Sequence, residues 1–268
     1  MMNIASGKSL RMKRISEPNT GRFVIVPMDH GVSSGPINGL VEIGETINLV
    51  AEGGATGIVI HKGMVGPGLL KYGGELGLIL HLSAITGLAP DSNEKVLVAT
   101  VEEALQMGAD AVSVHINIGA ETEAEMLADL GEISNSCREW QVPLLAMMYP
   151  RGPEIKDPFD VDIVKHVARV GAELGADIIK TNYTGSTDSF AEVIKSCPVP
   201  VVIAGGPKMK SDSDVLTMVR DAMRAGAAGI SIGRNIFQHN NVLGMTSAIA
   251  KIILEDLEVD EAIKIITG

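Results

Sequence analysis

Three side chains in this 268-residue sequence stand where a carbonyl could be attacked and its protons moved. Lys180 follows the apolar pair Ile178-Ile179 in the stretch GADIIKTNYTG that runs from Gly175. Desolvation disfavours an ammonium, so a lysine at a strand exit is pushed towards the neutral amine. The neutral amine is the form that condenses with a carbonyl to a Schiff base. A lone lysine at a strand end could equally snorkel into water, so its companions decide. Tyr149 ends the run PLLAMMY, and Asp29 ends FVIVPMD. Strand side chains alternate with period two. Ile25, Pro27 and Asp29 therefore share a face, as do Leu145, Met147 and Tyr149, and Ile178 and Lys180. An amine nucleophile beside a phenol and a carboxylate that carry protons is a workable set for carbon–carbon bond chemistry through an iminium.

Two further strand ends have the chemistry of a phosphate site. Gly205-Gly206 and Gly233-Arg234 each close an apolar run. Glycine amides can approach a phosphate closely, a helix start adds positive potential, and Arg234 would add a charged contact. The same glycines could serve only as tight turns. A rival chemistry rests on His30, His61, His81 and His115, all near strand ends, which could ligate a divalent metal. No His-x-His pair occurs, however, and few carboxylates lie close to them in sequence. Glu121, Glu123 and Glu125 read as a solvated helix face, and Met147 and Met148 as core or pocket lining.

These residues need a scaffold that brings strand ends together. Eight short apolar runs read as strands covered on both faces: Phe23–Asp29, Gly57–His61, Gly77–Ser83, Ala111–Ile116, Pro143–Tyr149, Asp177–Thr181, Pro200–Gly205 and Gly229–Gly233. Helical patterns separate most of them. Leu40–Glu52 places Val41, Ile43, Ile47 and Val50 on one stripe. Val101–Met107 follows Thr100, with Glu103 three residues on, as in a capping box. Glu121–Trp140, Asp160–Leu174, Asp212–Ala225 and Val242–Leu254 are longer, and a tail helix falls near Asp260–Ile266. The glycine-rich link Lys62–Leu76 reads as a loop. A Gly-Ala pair ends a helix before the second, fourth, sixth and eighth runs, at Gly54, Gly108, Gly175 and Gly226. A paired βα repeat with eight strands predicts an α/β fold, the (β/α)8 TIM barrel, as a single domain with an N-terminal extension through about residue 20. The alternative is an open doubly wound sheet. In the barrel, all the polar strand ends meet at one mouth.

Composition narrows the partners. The formal charge of −11 argues against nucleic acid, which needs a basic surface. A small phosphorylated ligand remains compatible. With 46% hydrophobic residues and only 3% aromatics, the core must be aliphatic. Cys137 and Cys197 match no metal-ligand spacing and read as reduced thiols of a cytoplasmic protein. No apolar run is long enough to cross a membrane, and residues 1–15 lack the apolar segment of a signal peptide.

The chain resembles the archaeal-type class I aldolases over nearly its whole length. The resemblance is carried by VIVPMDHGVSSGPI from Val24, AEGGATGIVIHKG from Ala51, EEALQMGADAVSVHINIG from Glu102 and PLLAMMYPRG from Pro143. It continues through GAELGADIIKTNYTG from Gly171, PVVIAGGPK from Pro200 and GRNIFQH from Gly233. The resemblance implies a (β/α)8 barrel without cofactor or metal. It makes Lys180 the Schiff-base lysine, Tyr149 the proton donor and Asp29 the acid/base. It implies sugar-phosphate contacts at Asp29, His30, Gly31, Val32, Ser33, Tyr149, Pro150, Arg151, Lys180, Gly205, Gly206, Gly233 and Arg234. The fructose-bisphosphate-cleaving members carry a tryptophan two places before the tyrosine, where this chain has Met147. That difference favours a branch transferring a three-carbon unit from a phosphorylated sugar to an aldehyde acceptor. The resemblance also implies a homo-oligomer, often a ring-like decamer. Three readings stand at this point: the transfer enzyme, a fructose-bisphosphate aldolase on the same residues, and a non-catalytic sugar-phosphate-binding barrel.

Overall fold

The computed structural model describes residues 7–69 and 76–267. The strands are β1 (Phe23–Pro27), β2 (Gly57–Ile60), β3 (Gly77–His81), β4 (Ser83–Ala84), β5 (Val96–Leu97), β6 (Ala111–Ile118), β7 (Leu144–Pro150), β8 (Ile178–Thr181), β9 (Val201–Ala204) and β10 (Gly229–Ser231). All but β4 and β5 close into a parallel barrel in the order β1-β10-β9-β8-β7-β6-β3-β2. The doubly wound alternative is thereby overturned. The helices are α1 (Gly7–Arg14), α2 (Gly31–Ser34), α3 (Ile43–Glu52), α4 (Val65–Leu69), α5 (Val101–Gln106), α6 (Glu123–Glu139), α7 (Val161–Glu173), α8 (Thr187–Ser196), α9 (Asp212–Arg224), α10 (Arg234–Phe237), α11 (Val242–Glu255) and α12 (Val259–Thr267).

The period-two reading holds. Outward strand residues such as Val24, Val26, Ile58, Ile60 and Met148 pack under the helices. Inward residues form a second cluster filling the barrel, among them Phe23, Ile25, Val59, Ile79, Leu145, Met147, Ile178 and Val202. The register aligns Met147 with Lys180 and Asn117 with Tyr149, so inward residues of neighbouring strands stand level. Gly54, Gly108, Gly175 and Gly226 all take positive φ, which is how a helix is stopped one residue before a strand approach begins.

That repeat does a second job. The residue after each of the first three Gly-Ala pairs binds the start of a neighbouring strand. Thr56 Oγ1 accepts from Val24 N at 3.0 Å, Asp110 from Leu78 N at 3.1 Å, and Asp177 from Leu144 N at 2.8 Å. The same three side chains hold the N-terminal segment. Lys8 pairs with Asp177 at 2.9 Å, Arg14 with Asp110 at 3.2 Å, and Thr56 donates to the Ile15 carbonyl at 2.8 Å. Met12 and Ile15 then plug the closed end of the barrel. Lys8 and Arg14 are thus docking groups.

Several local expectations need correction. Val41 is 63% exposed and precedes α3, so only Ile43, Ile47 and Val50 form the buried stripe. The link after β2 is not wholly loop: a 3-10 turn at Lys62–Met64 runs into α4, and residues 70–75 lie outside the described residues. The third run is two strands, because β4 leaves the barrel after His81 and pairs with β5 in a hairpin over the mouth. At α5, Thr100 accepts from Glu103 N as a cap should, while the Glu103 carboxylate turns to Lys62. Helix α8 was not anticipated; its sequence is largely polar, and only Phe190 and Val193 are buried.

The plug gives a test. A methyl at Gly77 would lie 2.5 Å from the Arg14 carbonyl oxygen and 2.8 Å from Ile15 Cγ2. We expect Gly77→Ala to lower stability by about 1–3 kcal/mol, as overpacking does, read as an earlier midpoint in chemical denaturation. An unmoved midpoint would mean that the N-terminal segment does not seat there in solution.

Candidate active site

The C-terminal strand ends enclose a cavity of about 310 Å³. Of the residues expected from sequence, Asp29, His30, Val32, Ser33, Tyr149, Arg151, Lys180, Gly205, Gly206, Gly233 and Arg234 line it. Gly31 and Pro150 do not. Gly31 begins α2 instead, and Pro150 lines an adjoining cavity with Phe159, Tyr183 and Met218. Lys180 is only 7% exposed and Tyr149 only 6%. Both sit there because β7 and β8 are apolar up to the layer that meets the mouth. The Tyr149 ring lies edge-on to His115 at 5.1 Å, and the Arg151 guanidinium stands over it at 4.8 Å. The phenol is therefore fixed from two sides.

Asp29 is the centre of charge. Its Oδ1 lies 3.5 Å from His30 Nδ1, and its Oδ2 lies 3.7 Å from His81 Nε2. Burial by itself raises its pKa, but attraction to His81, His30, Lys180 and His61 outweighs this and holds the carboxyl well below the usual carboxylate range. Asp29 is an anion at neutral pH. His81 goes the other way: burial, only partly opposed by Asp29, pushes it down to about 4. Burial likewise lowers His30 and His61. His115 falls well below its ordinary value through burial and through Arg151 and Lys95. These imidazoles are neutral hydrogen-bonding groups. His81 Nδ1 meets Ser113 Oγ at 2.8 Å, and His115 Nε2 meets Asn117 Oδ1 at 2.9 Å. Among the described residues, no three His, Cys, Asp or Glu side chains gather as a metal-ligating group.

The glycine loops are braced from one side chain. Asn235, 3% exposed, donates to the Gly205 and Pro207 carbonyls and accepts from Met209 N at 2.7 Å. Arg234 donates to the Gly206 carbonyl at 3.0 Å. Gly206 has φ +62°, and a Cβ at Gly233 would sit 2.6 Å from the Pro27 carbonyl oxygen. Side chains are thus kept out of the space between β9, β10 and β1. Four buried polar atoms of the mouth have no hydrogen-bond partner within the protein: Asp29 Oδ1, His30 Nδ1, Ser231 Oγ and Arg234 Nε. Buried polar atoms are rarely left so unless a ligand completes them. The arrangement offers an amine, a phenol, a carboxylate and an anion-gripping rim facing one volume.

The DeoC/LacD family of aldolases matches residues 23–239. This chain belongs to that family. It is 44% identical over 251 residues to 2-amino-4,5-dihydroxy-6-oxo-7-(phosphonooxy)heptanoate synthase of Streptomyces griseus, covering 94% of this chain and 92% of that one. It is 42% identical over 258 residues to 2-amino-3,7-dideoxy-D-threo-hept-6-ulosonate synthase of Halobacterium salinarum, covering 96% of each. Among solved structures, it is similar to an archaeal fructose-1,6-bisphosphate aldolase whose catalytic lysine holds the substrate's carbinolamine intermediate. There the TM-score is 0.85 at 31% identity, over 92% of this chain and 99% of that one. The fold and family are those of Schiff-base aldolases.

Sequence reasoning missed several wall residues of this aldolase. Ser113, His115 and Asn117 alternate through β6; His115 lines the cavity, while buried Ser113 and Asn117 bond to His81 and His115, and that polar alternation in an apolar strand is a readable sign of a mouth-facing strand. His81 and His115, read from sequence as candidate metal ligands, are hydrogen-bonded to Ser113 and Asn117. Thr86, Gly87, Ser92 and Lys95 reach the cavity from the loop between β4 and β5, which carries no periodic pattern. The coupling of His81 to Asp29 can be tested by titration. His81 is expected to protonate near pH 4 by NMR, and Asp29→Asn should lower that midpoint further, since the anion favours imidazolium. An unfolded imidazole protonates at about 6.5. The stability this neutral His81 brings is therefore full above about 6.5 and is lost as pH falls towards 4. A midpoint unmoved by Asp29→Asn would break the proposed coupling.

Proposed function

We propose that this protein is a lysine-dependent transaldolase that builds a seven-carbon 2-amino-hept-6-ulosonate from a phosphorylated sugar and L-aspartate 4-semialdehyde. The observation that carries the reading is the convergence of Lys180, Tyr149 and Asp29 on one cavity rimmed by Gly205, Gly206, Gly233 and Arg234. The names and coverage of the relatives support it.

In this reading, the Lys180 amine adds to a ketone of 6-deoxy-5-ketofructose 1-phosphate. Water leaves as Tyr149 and Asp29 move the protons, giving an iminium. An iminium draws electrons from the carbon–carbon bond one carbon removed, which breaks and expels hydroxypyruvaldehyde phosphate. A three-carbon enamine stays on Lys180. It attacks the aldehyde carbon of L-aspartate 4-semialdehyde, the new alkoxide takes a proton, and water hydrolyses the iminium to free the product. The ionised Asp29 is suited to receive protons, and the phenol of Tyr149 to give them. A second reading has support of its own. The Streptomyces relative's name places a phosphonooxy group on carbon 7, beside the oxo carbon, so that relative's product keeps a phosphate in its ketone half.

We further propose that this chemistry runs on a single barrel domain in a cytoplasmic homo-oligomer. The free, buried Cys137 and Cys197 fit a reducing compartment. No helix among the described residues is long and apolar enough to cross a membrane. Exposed Leu88, Trp140 and Phe159 offer apolar surface for self-association.

Borohydride added with donor is expected to trap a covalent adduct on Lys180, seen by mass spectrometry, and Lys180→Met should abolish it. Tyr149→Phe should slow turnover by about 100- to 10,000-fold, the usual share of one general acid. Fructose bisphosphate cleavage would be assayed beside aspartate-semialdehyde consumption. Strong preference for the former would replace the synthase with a simple aldolase, full activity in Lys180→Met would overturn Schiff-base chemistry on that lysine, and no adduct with no turnover of either substrate would leave only a binding barrel.

A further inference from the structure

The mouth holds cations in two zones. One is Arg234 with the glycine loops of β9 and β10. The other is Arg151 at the end of β7 with Lys95, which arrives on the loop between β4 and β5. In the closed order β1-β10-β9-β8-β7-β6-β3-β2, these zones flank Lys180 on β8 from opposite sides. In a chain of net charge −11, Asp29 is the one acid among the described residues lining this cavity, against Lys95, Arg151, Lys180 and Arg234. Such a surplus selects anions.

The two zones differ in kind. The first combines backbone amides and one guanidinium, as a phosphate prefers. The second has two side-chain cations and no glycine loop. Lys95 is half-buried, and its Nζ donates to the Ser92 carbonyl at 2.6 Å, a neutral partner that leaves its charge for something else. Burial and the nearby Arg151 push its pKa down to about 8, partly opposed by Asp91 and Asp29. Bringing two cations together is unfavourable until an anion lies between them. The loop is pinned for the purpose. Asn117 on β6 donates to the Asn93 carbonyl at 2.7 Å, and Gly87 N donates to the Ser33 carbonyl at 2.9 Å.

We propose that Lys95, with Arg151, forms the subsite that receives the carboxylate of the acceptor aldehyde and so selects an amino-acid semialdehyde over a neutral aldehyde. The inference rests on the transaldolase reading above, since it assigns one end of that reaction's second substrate. It accounts for a need that the three catalytic residues do not meet. A product bound to Lys180 carries the acceptor's acid at its far end, and that anion must be held where the cavity leaves the strand ends.

The test compares two acceptors at saturating donor: L-aspartate 4-semialdehyde and butanal, which has the same four carbons and no charge. The ratio of their kcat/KM values cancels any effect on the donor. Lys95→Met should collapse that preference by about 10- to 100-fold, the discrimination of one charged hydrogen bond. Lys95→Arg should restore most of it. The borohydride adduct on Lys180 reports that each variant still assembles its mouth. A ratio unchanged in Lys95→Met, with the adduct formed, overturns the subsite alone. Failure of the unaltered protein to use either aldehyde overturns the transaldolase reading and the subsite with it.

Discussion

A closed parallel barrel wrapped in helices allows polar side chains at one level only. Every strand residue faces either the helices or the filled interior, and both are dry. The interior is plugged at one end by Met12 and Ile15, so water reaches the inward positions only at the other. Lys180, Tyr149, Ser113, His115 and Asn117 all take inward positions near that open end, one or two residues beyond apolar neighbours such as Ile178, Met147 and Ala111. The chemistry is where the packing permits it. The same constraint fixes its geometry, because side chains seated in a filled barrel cannot drift without disturbing a close-packed layer.

Within the mouth the controlling term is the ionised Asp29. A buried carboxylate is costly unless compensated. Compensation here comes from imidazoles on three different strand exits and from the lysine, none of which bonds it closely. A tight ion pair would have neutralised the charge and removed it from use. Contacts of 3.5 and 3.7 Å to two histidines leave the anion available. The partnerless oxygen of Asp29 and hydroxyl of Ser231 are part of the same arrangement.

How much of this was legible follows from where each residue sits. Eight strands, the Gly-Ala helix stops, the three candidate catalytic groups and the two glycine loops can all be read because each belongs to a periodic element or ends one. Asp29, Tyr149 and Lys180 fall at the end of an apolar alternation that any reader of periods can extend. Gly31 and Pro150 come only with the family resemblance, and the fold places neither on the cavity: alternation turns Pro150 away and α2 takes Gly31 aside. Val41 matched a helical stripe in a segment that the helix does not include. Lys95 had no signal at all. Its position depends on a hairpin leaving the barrel after His81 and on two hydrogen bonds from β6 and α2, and neither leaves a pattern in the local sequence.

That difference bears on how one barrel serves several aldolases. A lysine and a tyrosine on strands, and an aspartate two residues beyond one, are placed by closure and register. A loop inserted between β3 and β6 is held by a few side-chain bonds to the wall, and its contents can be exchanged without repacking a layer. In this chain the insertion brings a lysine to the edge of a cavity that already has an arginine there, away from the phosphate-type loops. The strands thus hold the proposed Schiff-base lysine, whereas the proposed acceptor subsite draws Lys95 from a segment outside the barrel's own repeat. Met147, which lies beneath Tyr149 on the inward face, belongs to the first group. It lines the cavity and carries no charge.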